Sequence, residues 1–176
     1  IASSLVGSEM CIRDSFGLLL TKIFLKKDIR EIGSGNIGAT NVLRAGNKIL
    51  GYSTLVLDIL KAVLPILYVK FFMNDYLYIS ALSIFIGHVF PIWLKFKGGK
   101  GVASYLGILC CLDIFTAIIF GVVWISIFIL FKFSSLSSLL ASLTIPIFEF
   151  FYNSNSDYYF YFCLLYTSDA ADECDS

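Results

Sequence analysis

The sequence is dominated by long apolar segments, and the longest runs from residue 102 to residue 131 with Asp113 as its one charged residue. Apolar residues make up 58% of the 176-residue chain and charged residues 15%, whereas soluble domains average about 45–50% and about 25%. One core of this size cannot enclose such an excess. Aromatic residues, at 16%, exclude a disordered chain. The sequence therefore predicts an all-α, polytopic transmembrane helical bundle.

Five complete membrane spans are predicted. A helix needs about 20 mainly apolar residues to cross a hydrocarbon core about 30 Å thick. Three spans follow directly from this length, at residues 49–72, 76–94 and 135–152. Pro146 predicts a kink or an interruption in the last of them.

The sequence of residues 102–131 is compatible with one membrane span or with two. At 1.5 Å per residue they would form a helix about 45 Å long, which is more than an upright span needs. Asp113 lies within them, and a carboxylate is costly in hydrocarbon. We favour a break near Leu112 and Asp113 at the outer surface, which gives two short or tilted helices. Shorter apolar stretches at residues 16–25 and 158–162 are interpreted as truncated first and last helices.

Basic residues cluster between the predicted spans. The segments at residues 26–48 and 95–101 are separated by two crossings and so face the same compartment, whereas the turn at residues 74–75 has no basic residue. By the positive-inside rule both segments face the cytoplasm. Together they contain eight basic residues: Lys26, Lys27, Arg30, Arg44, Lys48, Lys95, Lys97 and Lys100.

The two ends of the chain differ from the rest. Residues 1–15 and 163–176 have mixed polarity without periodicity and resemble translated adapter sequence, so both are expected to be non-native flanks. One transmembrane domain is expected over residues 16–162, where 12 basic and 7 acidic residues give a net charge of +5. Its cysteines, Cys110 and Cys111, are adjacent in an apolar run, which favours packing over metal binding or a disulfide.

The first basic segment contains the sequence GSGNIGATNVLR at residues 33–44. Its GxGxxG spacing matches the dinucleotide-binding pattern, but no predicted strand precedes it, so a Rossmann fold is not indicated. Glycines allow close approach of a ligand, and consecutive N–H groups before a helix bind anions. A flexible polar connector is the alternative to such a phosphate site. The candidate ligand groups are Gly33, Ser34, Gly35, Asn36, Gly38, Thr40, Asn41 and Arg44.

The second basic segment reads KFKGGKGVAS at residues 95–104. It is not a Walker A loop, because Gly101 follows Lys100 where that motif has a hydroxyl residue. Three glycines and three lysines before a helix nevertheless describe an anion site. The alternative for Lys95 and Lys97 is a basic patch that attracts anionic lipid head groups. The candidate site residues are Gly98, Gly99, Lys100 and Gly101.

Polar residues within the predicted spans are further candidates. His88 is the single histidine, and it is either a hydrogen-bonded packing residue or a polar group of the site. Asp58 and Lys61 share one helical face and are expected to pair with each other or to face a polar cavity, because an unpaired charge is costly there. With two anion sites, the sequence predicts one or two phosphate-bearing ligands, at least one of them lipid-soluble.

Residues 33–44 and 87–104 resemble the first two signature motifs of the bacterial acyl-phosphate:glycerol-3-phosphate acyltransferases, and residues 58–61 (DILK) and 132–139 (KFSSLSSL) also fit that family. The resemblance implies an inner-membrane, seven-helix enzyme with both motif loops facing the cytoplasm. It would transfer a fatty acyl group from acyl-phosphate to the 1-hydroxyl of sn-glycerol 3-phosphate, giving lysophosphatidic acid and phosphate. The expected partners are these substrates and membrane lipids, with no cofactor, no metal and no nucleic acid.

The resemblance also implies roles for individual residues. An acyl-phosphate has a good leaving group, so no nucleophilic side chain is required, and catalysis rests on positioning the hydroxyl and stabilising developing charge. A substrate phosphate oxygen could accept the proton. The residues expected to be catalytic are Ser34, Asn36, Lys100 and His88. Those expected to bind substrate are Gly33, Gly35, Gly38, Thr40, Asn41, Arg44, Gly98, Gly99, Gly101 and Ser135.

The chain departs from that family at both ends. Asp14 and Ser15 stand where the family has a glycine-serine-hydrophobic-proline sequence, and the family's C-terminal motif is not found in residues 163–176. We therefore expect an enzyme fragment with little or no activity. A transporter of a phosphorylated metabolite is the main alternative, and it needs a site near the bilayer midplane. A scaffold that binds anionic lipids is a third hypothesis. The enzyme hypothesis requires both glycine-rich segments to meet at the inner leaflet.

Overall fold

The computed structural model describes residues 16–33, 35–90, 101–152, 160–161 and 163–164, and this part of the chain consists of helices and connecting turns. The all-α prediction is confirmed. Helix α1 (Phe16–Leu20) continues into a π-helical turn (Thr21–Leu25). The other helices are α2 (Ala39–Arg44), α3 (Lys48–Phe72), α4 (Leu77–Val89), α5 (Val102–Leu112), α6 (Ile114–Phe131) and α7 (Ser134–Tyr152), with short 3₁₀ turns at Ile29–Glu31 and Asn74–Tyr76.

Two of the longer helices have the length and composition of membrane spans. Helices α6 and α7, with 18 and 19 residues, are long and apolar enough to cross a bilayer, and α5 is a shorter apolar helix. Helix α3 has 25 residues, or about 37 Å at 1.5 Å per residue. Large apolar side chains such as Ile129 and Leu130 are exposed on the outside of the bundle, as expected where the surrounding solvent is lipid.

The break within residues 102–131 is confirmed. Helix α5 ends at Leu112, and Asp113 caps α6 because its carboxylate accepts hydrogen bonds from the backbone N–H groups of Phe115 (3.2 Å) and Thr116 (2.9 Å). Burial raises the pKa of Asp113, but hydrogen bonds from Thr116 and Phe115 outweigh it, so the pKa is lowered. The interruption considered at Pro146 does not occur, since α7 continues through Pro146 to Tyr152.

Helices α3 and α5 run parallel and in close contact. A Cβ at Gly107 of α5 would lie 3.0 Å from the carbonyl oxygen of Ile59 and 3.3 Å from the Cβ of Ala62, both on α3. Further along, the Lys70 ammonium donates a hydrogen bond to the carbonyl oxygen of Cys111 (2.5 Å), in the last turn of α5. A cation there stabilises the negative end of the helix dipole. The parallel register places the start of α5 at the same end of the bundle as the start of α3.

One large apolar core contains residues from all five helices from α3 to α7. At its centre the ring of Tyr105 lies between the rings of Phe85 and Phe120, with centroid distances of 5.8 Å and 5.0 Å. Tyr161 and Leu164 are buried in the same core. The hydroxyl of Thr116 on α6 donates to the carboxylate of Glu149 on α7 (2.9 Å). That contact pairs the start of α6 with the end of α7, so the two helices are antiparallel.

A second, smaller core attaches α1 and the first glycine-rich segment to α3. It consists of Leu18, Ile29, Ile37, Val42 and Leu50. The carboxylate of Asp58, which was expected to pair with Lys61 or to face a polar cavity, accepts a hydrogen bond from the backbone N–H of Phe16 (3.2 Å). Asp58 therefore ties α1 to the middle of α3.

Candidate active site

The first glycine-rich segment is organised around the side chain of Asn41. Asn41 is only 2% exposed, and its amide nitrogen donates to the carbonyl oxygens of Ile32 and Asn36 (both 2.8 Å) and Ile29 (3.1 Å). A two-proton donor shared by three carbonyls is fully used by the segment itself. Asn41 therefore holds the backbone of the segment in place, and its expected role in binding substrate stays a prediction.

Gly33 and Gly35 are required by this arrangement. Both have left-handed backbone angles, with φ of 63° and 73°, and residues other than glycine rarely adopt this conformation. A Cβ at Gly33 would also collide with the Oδ1 atom of Asn41. The two glycines therefore allow the chain to fold around the Asn41 side chain.

The rest of the segment leads into the short helix α2. The side chain of Asn36 accepts a hydrogen bond from the backbone N–H of Gly38 (3.1 Å), which turns the chain toward the helix. Thr40 is half-buried in the first turn of α2, and Arg44 is exposed in its last turn. Ser34, a predicted catalytic residue, lies outside the described residues.

An ion pair precedes the glycines. The Arg30 guanidinium donates to the Asp28 carboxylate at 2.6 Å, and the Lys22 ammonium lies 3.9 Å from the same carboxylate. The side-chain hydrogen bond from Arg30 lowers the pKa of Asp28 to about 2. Asp28 consequently remains charged throughout the physiological pH range, and the ion pair does not titrate there.

The second glycine-rich segment is described from Gly101 onward, and Gly98, Gly99 and Lys100 lie outside the described residues. Gly101 has a φ of 69° and directly precedes α5, and a Cβ there would lie 2.6 Å from the ring of Phe85. The start of α5 is therefore packed tightly against α4.

Two buried polar groups lie beside this junction. His88, near the end of α4, is 6% exposed, and Ser104, in the first turn of α5, is 0% exposed. Neither the Nδ1 atom of His88 nor the hydroxyl of Ser104 has a hydrogen-bond partner among the described residues. Buried polar groups without partners are rare. Sequence reasoning did not select Ser104, although its position three residues after the last glycine of the segment is a usable signal.

Those predicted site residues that the structure describes lie toward one end of the bundle. Ile37 packs against Gly17 of α1, which is also next to Thr54 of α3. Because α3 and α5 run parallel, with Gly107 beside Ile59 and Ala62, Gly101 lies at about the level of Thr54 on α3. Ser135 is half-buried at the start of α7, which lies at this end too, and its carbonyl oxygen accepts a hydrogen bond from the Ser138 hydroxyl (2.8 Å). Within the described residues, no group of three potential ligands could hold a metal ion.

Replacing Asn41 with alanine is expected to lower the free energy of unfolding by about 1–3 kcal/mol, because it removes the buried donor shared by three carbonyls. Denaturant titration in detergent micelles measures this change. The matched control is Asn74→Ala at the opposite end, where the side chain is exposed and the expected change is within about 0.5 kcal/mol. Equal effects of the two substitutions would contradict the structural role given to Asn41.

Sequence comparisons match the chain to one family. A sequence profile of the family described as glycerol-3-phosphate acyltransferase matches residues 11–169. A glycerol-3-phosphate acyltransferase of Pelagibacter ubique is 62% identical over 160 residues, covering 91% of this chain and 81% of that protein. One from Bartonella quintana is 52% identical over 159 residues, covering 86% and 72%.

Two solved structures have the same fold. Both are crystal structures of PlsY (YgiH), an integral membrane glycerol 3-phosphate acyltransferase. The glycerol 3-phosphate form superposes with a TM-score of 0.83 at 31% identity, covering 96% of this chain and 86% of that one. The lysophosphatidic acid form gives 0.79 at 32% identity, covering 92% and 82%.

Proposed function

Because the chain belongs to the glycerol-3-phosphate acyltransferase family, we propose that it transfers a fatty acyl group from acyl-phosphate to the 1-hydroxyl of sn-glycerol 3-phosphate. The observation that carries this proposal is the match over 96% of the chain to an integral membrane acyltransferase in its glycerol 3-phosphate form. The acyl-phosphate donor is inferred from the motif resemblance and from the second, lysine-bearing segment.

The proposed reaction is a direct transfer. The 1-hydroxyl of glycerol 3-phosphate attacks the acyl carbon, the new ester C–O bond forms, and the bond from that carbon to the phosphate oxygen breaks. The hydroxyl proton passes to a phosphate oxygen, and the phosphate leaves as inorganic phosphate. A mixed anhydride is reactive enough that no acyl-enzyme is needed, so the protein contributes positioning and charge stabilisation.

We assign the residues as follows. Arg44, exposed at the end of α2, binds the phosphate of glycerol 3-phosphate with its planar guanidinium. Asn36 and Thr40 orient that substrate with Ser34. Lys100 and the backbone of Gly98, Gly99 and Gly101 bind the acyl-phosphate.

His88 and Ser104 support the acyl-phosphate side of this site. Their buried atoms, without partners in the described part of the chain, lie at the junction of α4 and α5. A substrate or a water molecule there would satisfy them. Ser135, at the start of α7, belongs to the same end of the bundle.

We further propose the bacterial inner membrane as the location, with residues 16–162 as the acyltransferase domain. Exposed basic residues at the site end of the bundle, including Lys26, Lys27 and Lys48, support a cytoplasmic orientation of this end. The short 3₁₀ turn Asn74–Tyr76, at the opposite end of the bundle, contains an acidic residue and no basic one.

Turnover in proteoliposomes tests the reaction. With palmitoyl phosphate and glycerol 3-phosphate, we expect little or no turnover by the chain itself, any lysophosphatidic acid that forms to be matched by an equal amount of inorganic phosphate, and no product when glycerol replaces glycerol 3-phosphate. A second version, in which residues 163–176 are exchanged for the aligned part of the Pelagibacter ubique relative, is assayed in parallel and is expected to be the faster of the two. If neither version forms lysophosphatidic acid from palmitoyl phosphate, the proposed function is wrong.

A further inference from the structure

The indole of Trp124, on α6, has a buried N–H group with no hydrogen-bond acceptor in the described part of the chain. An indole nitrogen is a donor only, so it can be paired only with an acceptor. Buried donors in folded proteins are nearly always paired, either with protein groups or with a ligand or water. The N–H of Trp124 therefore indicates an acceptor outside the described groups.

The register of α5 and α6 sets Trp124 opposite the start of α5. These helices are joined at Asp113, and the rings of Tyr105 and Phe120 lie 5.0 Å apart across them, so the two helices run antiparallel. Trp124 is about one turn beyond Phe120 on α6, and Gly101 is about one turn before Tyr105. Trp124 therefore lies opposite Gly101, the last residue of the second glycine-rich segment.

Helix α4 contributes the third residue at this level. The ring of Phe85 is 5.8 Å from that of Tyr105, and a Cβ at Gly101 would lie 2.6 Å from the same phenylalanine ring. His88 is three residues beyond Phe85 on α4, so it lies on the same helical face and one turn nearer the site end. We call the set of His88, Gly101 and Trp124 the Trp124 layer.

The Trp124 layer collects donor groups that need an acceptor. His88 and the adjacent Ser104 are both buried, and their Nδ1 and hydroxyl groups have no hydrogen-bond partner among the described residues. Helix α5 begins here, and the first N–H groups of a helix have no acceptor within the helix itself. Three helices thus bring donors to one place, where an oxygen atom of a bound substrate would be stabilised.

The chemistry of the indole favours a carbonyl oxygen over a phosphate oxygen as that acceptor. Trp124 is uncharged and packs against the large apolar core. A buried phosphate requires a nearby cation, and Lys100, one residue before Gly101, is the candidate for that role. Neutral donors in surroundings without water are the groups that stabilise a carbonyl oxygen as it gains charge.

We propose that the indole N–H of Trp124 donates a hydrogen bond to the carbonyl oxygen of the acyl-phosphate and stabilises the charge on it in the transition state. This rests on the proposed function and adds a catalytic residue outside both glycine-rich segments. As the 1-hydroxyl attacks, the new C–O bond forms and the carbonyl electron pair moves onto the oxygen. That pair returns when the bond to the phosphate oxygen breaks, and the phosphate leaves with the electrons of that bond. The hydroxyl proton passes to a phosphate oxygen, and Trp124 keeps its own proton throughout.

Turnover of the version whose residues 163–176 are exchanged tests this role. Trp124→Phe removes the N–H, and so does replacement of Trp124 by benzothienylalanine, which keeps the two-ring shape with sulfur in place of the N–H. Both are expected to reduce kcat about 10²–10³-fold, with an unchanged KM for glycerol 3-phosphate. Full kcat with benzothienylalanine would overturn the proposal, because the shape of the side chain would then be sufficient.

The matched control for these variants is Tyr105→Phe. It also removes a polar atom that is buried in the core and has no hydrogen-bond partner in the described part of the chain. That hydroxyl interacts electrostatically with Tyr161, and its residue lies one turn further from the site end than the Trp124 layer. The change in kcat is expected to stay within a factor of about two. A loss as large as that of Trp124→Phe would contradict a specific role of the indole.

A binding measurement on the 176-residue chain does not require turnover. The chain contains two tryptophans, and Trp93→Phe assigns their indole N–H signals in the NMR spectrum of isotope-labelled protein in micelles. One ligand is the ketophosphonate analogue of palmitoyl phosphate, in which a methylene group replaces the bridging oxygen. The other is hexadecyl phosphonate, which has the head group and the chain but no carbonyl. We expect only the ketophosphonate to move the Trp124 proton signal downfield.

The outcomes separate this proposal from the proposed function. Equal movement of the Trp124 signal with both ligands, or no movement at saturating ketophosphonate, would overturn the contact with the carbonyl oxygen, whereas the reaction itself would stand. If the ketophosphonate alone moves the signal but the exchanged version forms no lysophosphatidic acid, the proposed function is wrong and the contact stands.

Discussion

In the version whose residues 163–176 are exchanged, Arg44→Gln is expected to reduce kcat/KM for glycerol 3-phosphate about 100-fold or more, and Lys100→Gln is expected to reduce kcat by a similar factor. Each substitution removes a charged donor to a phosphate or to the oxygen that gains charge in the transition state, and loss of one such donor costs about 10²–10³-fold. Glutamine keeps much of the side-chain length and removes the positive charge. Steady-state kinetics with varied glycerol 3-phosphate and palmitoyl phosphate measure both effects.

The matched control is Lys132→Gln. Lys132 is exposed in the turn between α6 and α7, so it has the same charge and a similar position relative to the membrane. Its loss is expected to leave turnover within a factor of about two. If the protein were a lipid-binding scaffold, all three substitutions would only weaken membrane association, by about 1 kcal/mol each. Full activity of Arg44→Gln would refute the role assigned to that residue.

Gly17→Ala is expected to destabilise the protein by about 3 kcal/mol, which is at the upper end of typical overpacking costs. A Cβ at this position would collide with the carbonyl oxygen of Ile37 and lie 3.2 Å from the side chain of Thr54. Neither neighbour moves easily, because Ile37 belongs to the glycine-rich segment and Thr54 is buried on α3. The added methyl group therefore pushes α1, the segment and α3 apart.

Thermal unfolding in detergent, followed by loss of monomer, measures this effect, and the midpoint is expected to fall by about 10 °C. Gly121→Ala is the matched control, because a Cβ at Gly121 of α6 meets nothing within 4 Å. That substitution is expected to be neutral or to stabilise the helix by up to about 1 kcal/mol. Equal destabilisation by both alanines would contradict the close contact assigned to Gly17. Activity of Gly17→Ala is expected to fall with the folded fraction, because the glycine-rich segment is displaced.

Prediction from sequence succeeded where a local signal was sufficient. The apolar lengths identified the helices, and the cost of a carboxylate in hydrocarbon located the break at Asp113. The prediction of an interruption at Pro146 was wrong. The helix continues through the proline, because neighbouring helices of a bundle stabilise a helix that lacks one backbone hydrogen bond. The π turn at Thr21–Leu25 carried no sequence signal that we recognised.

Prediction of the site was less complete because the type of a residue does not specify which groups its side chain contacts. Asn36 and Asn41 are both asparagines of the same segment. The amide nitrogen of Asn41 is nevertheless bound to three carbonyl oxygens, whereas the side chain of Asn36 turns the chain toward α2. Similarly, Asp58 was expected to pair with Lys61 or to face a polar cavity, and the sequence did not indicate that it also accepts a hydrogen bond from the backbone of α1, 42 residues away in the chain. Contacts between distant segments decide such cases.

By itself the sequence determined the solvent, the positions of the long helices and the basic end of the bundle, and it predicted phosphate binding by the two glycine-rich segments, because hydrophobicity, charge and glycine spacing are properties of short stretches. The tertiary structure alone decided that the first segment closes around Asn41, that α3 and α5 run parallel so that Gly101 lies at about the level of Thr54, and that Asp58 of α3 binds the backbone of α1. These features depend on packing between segments far apart in the chain, and close packing allows only a few relative positions of the helices.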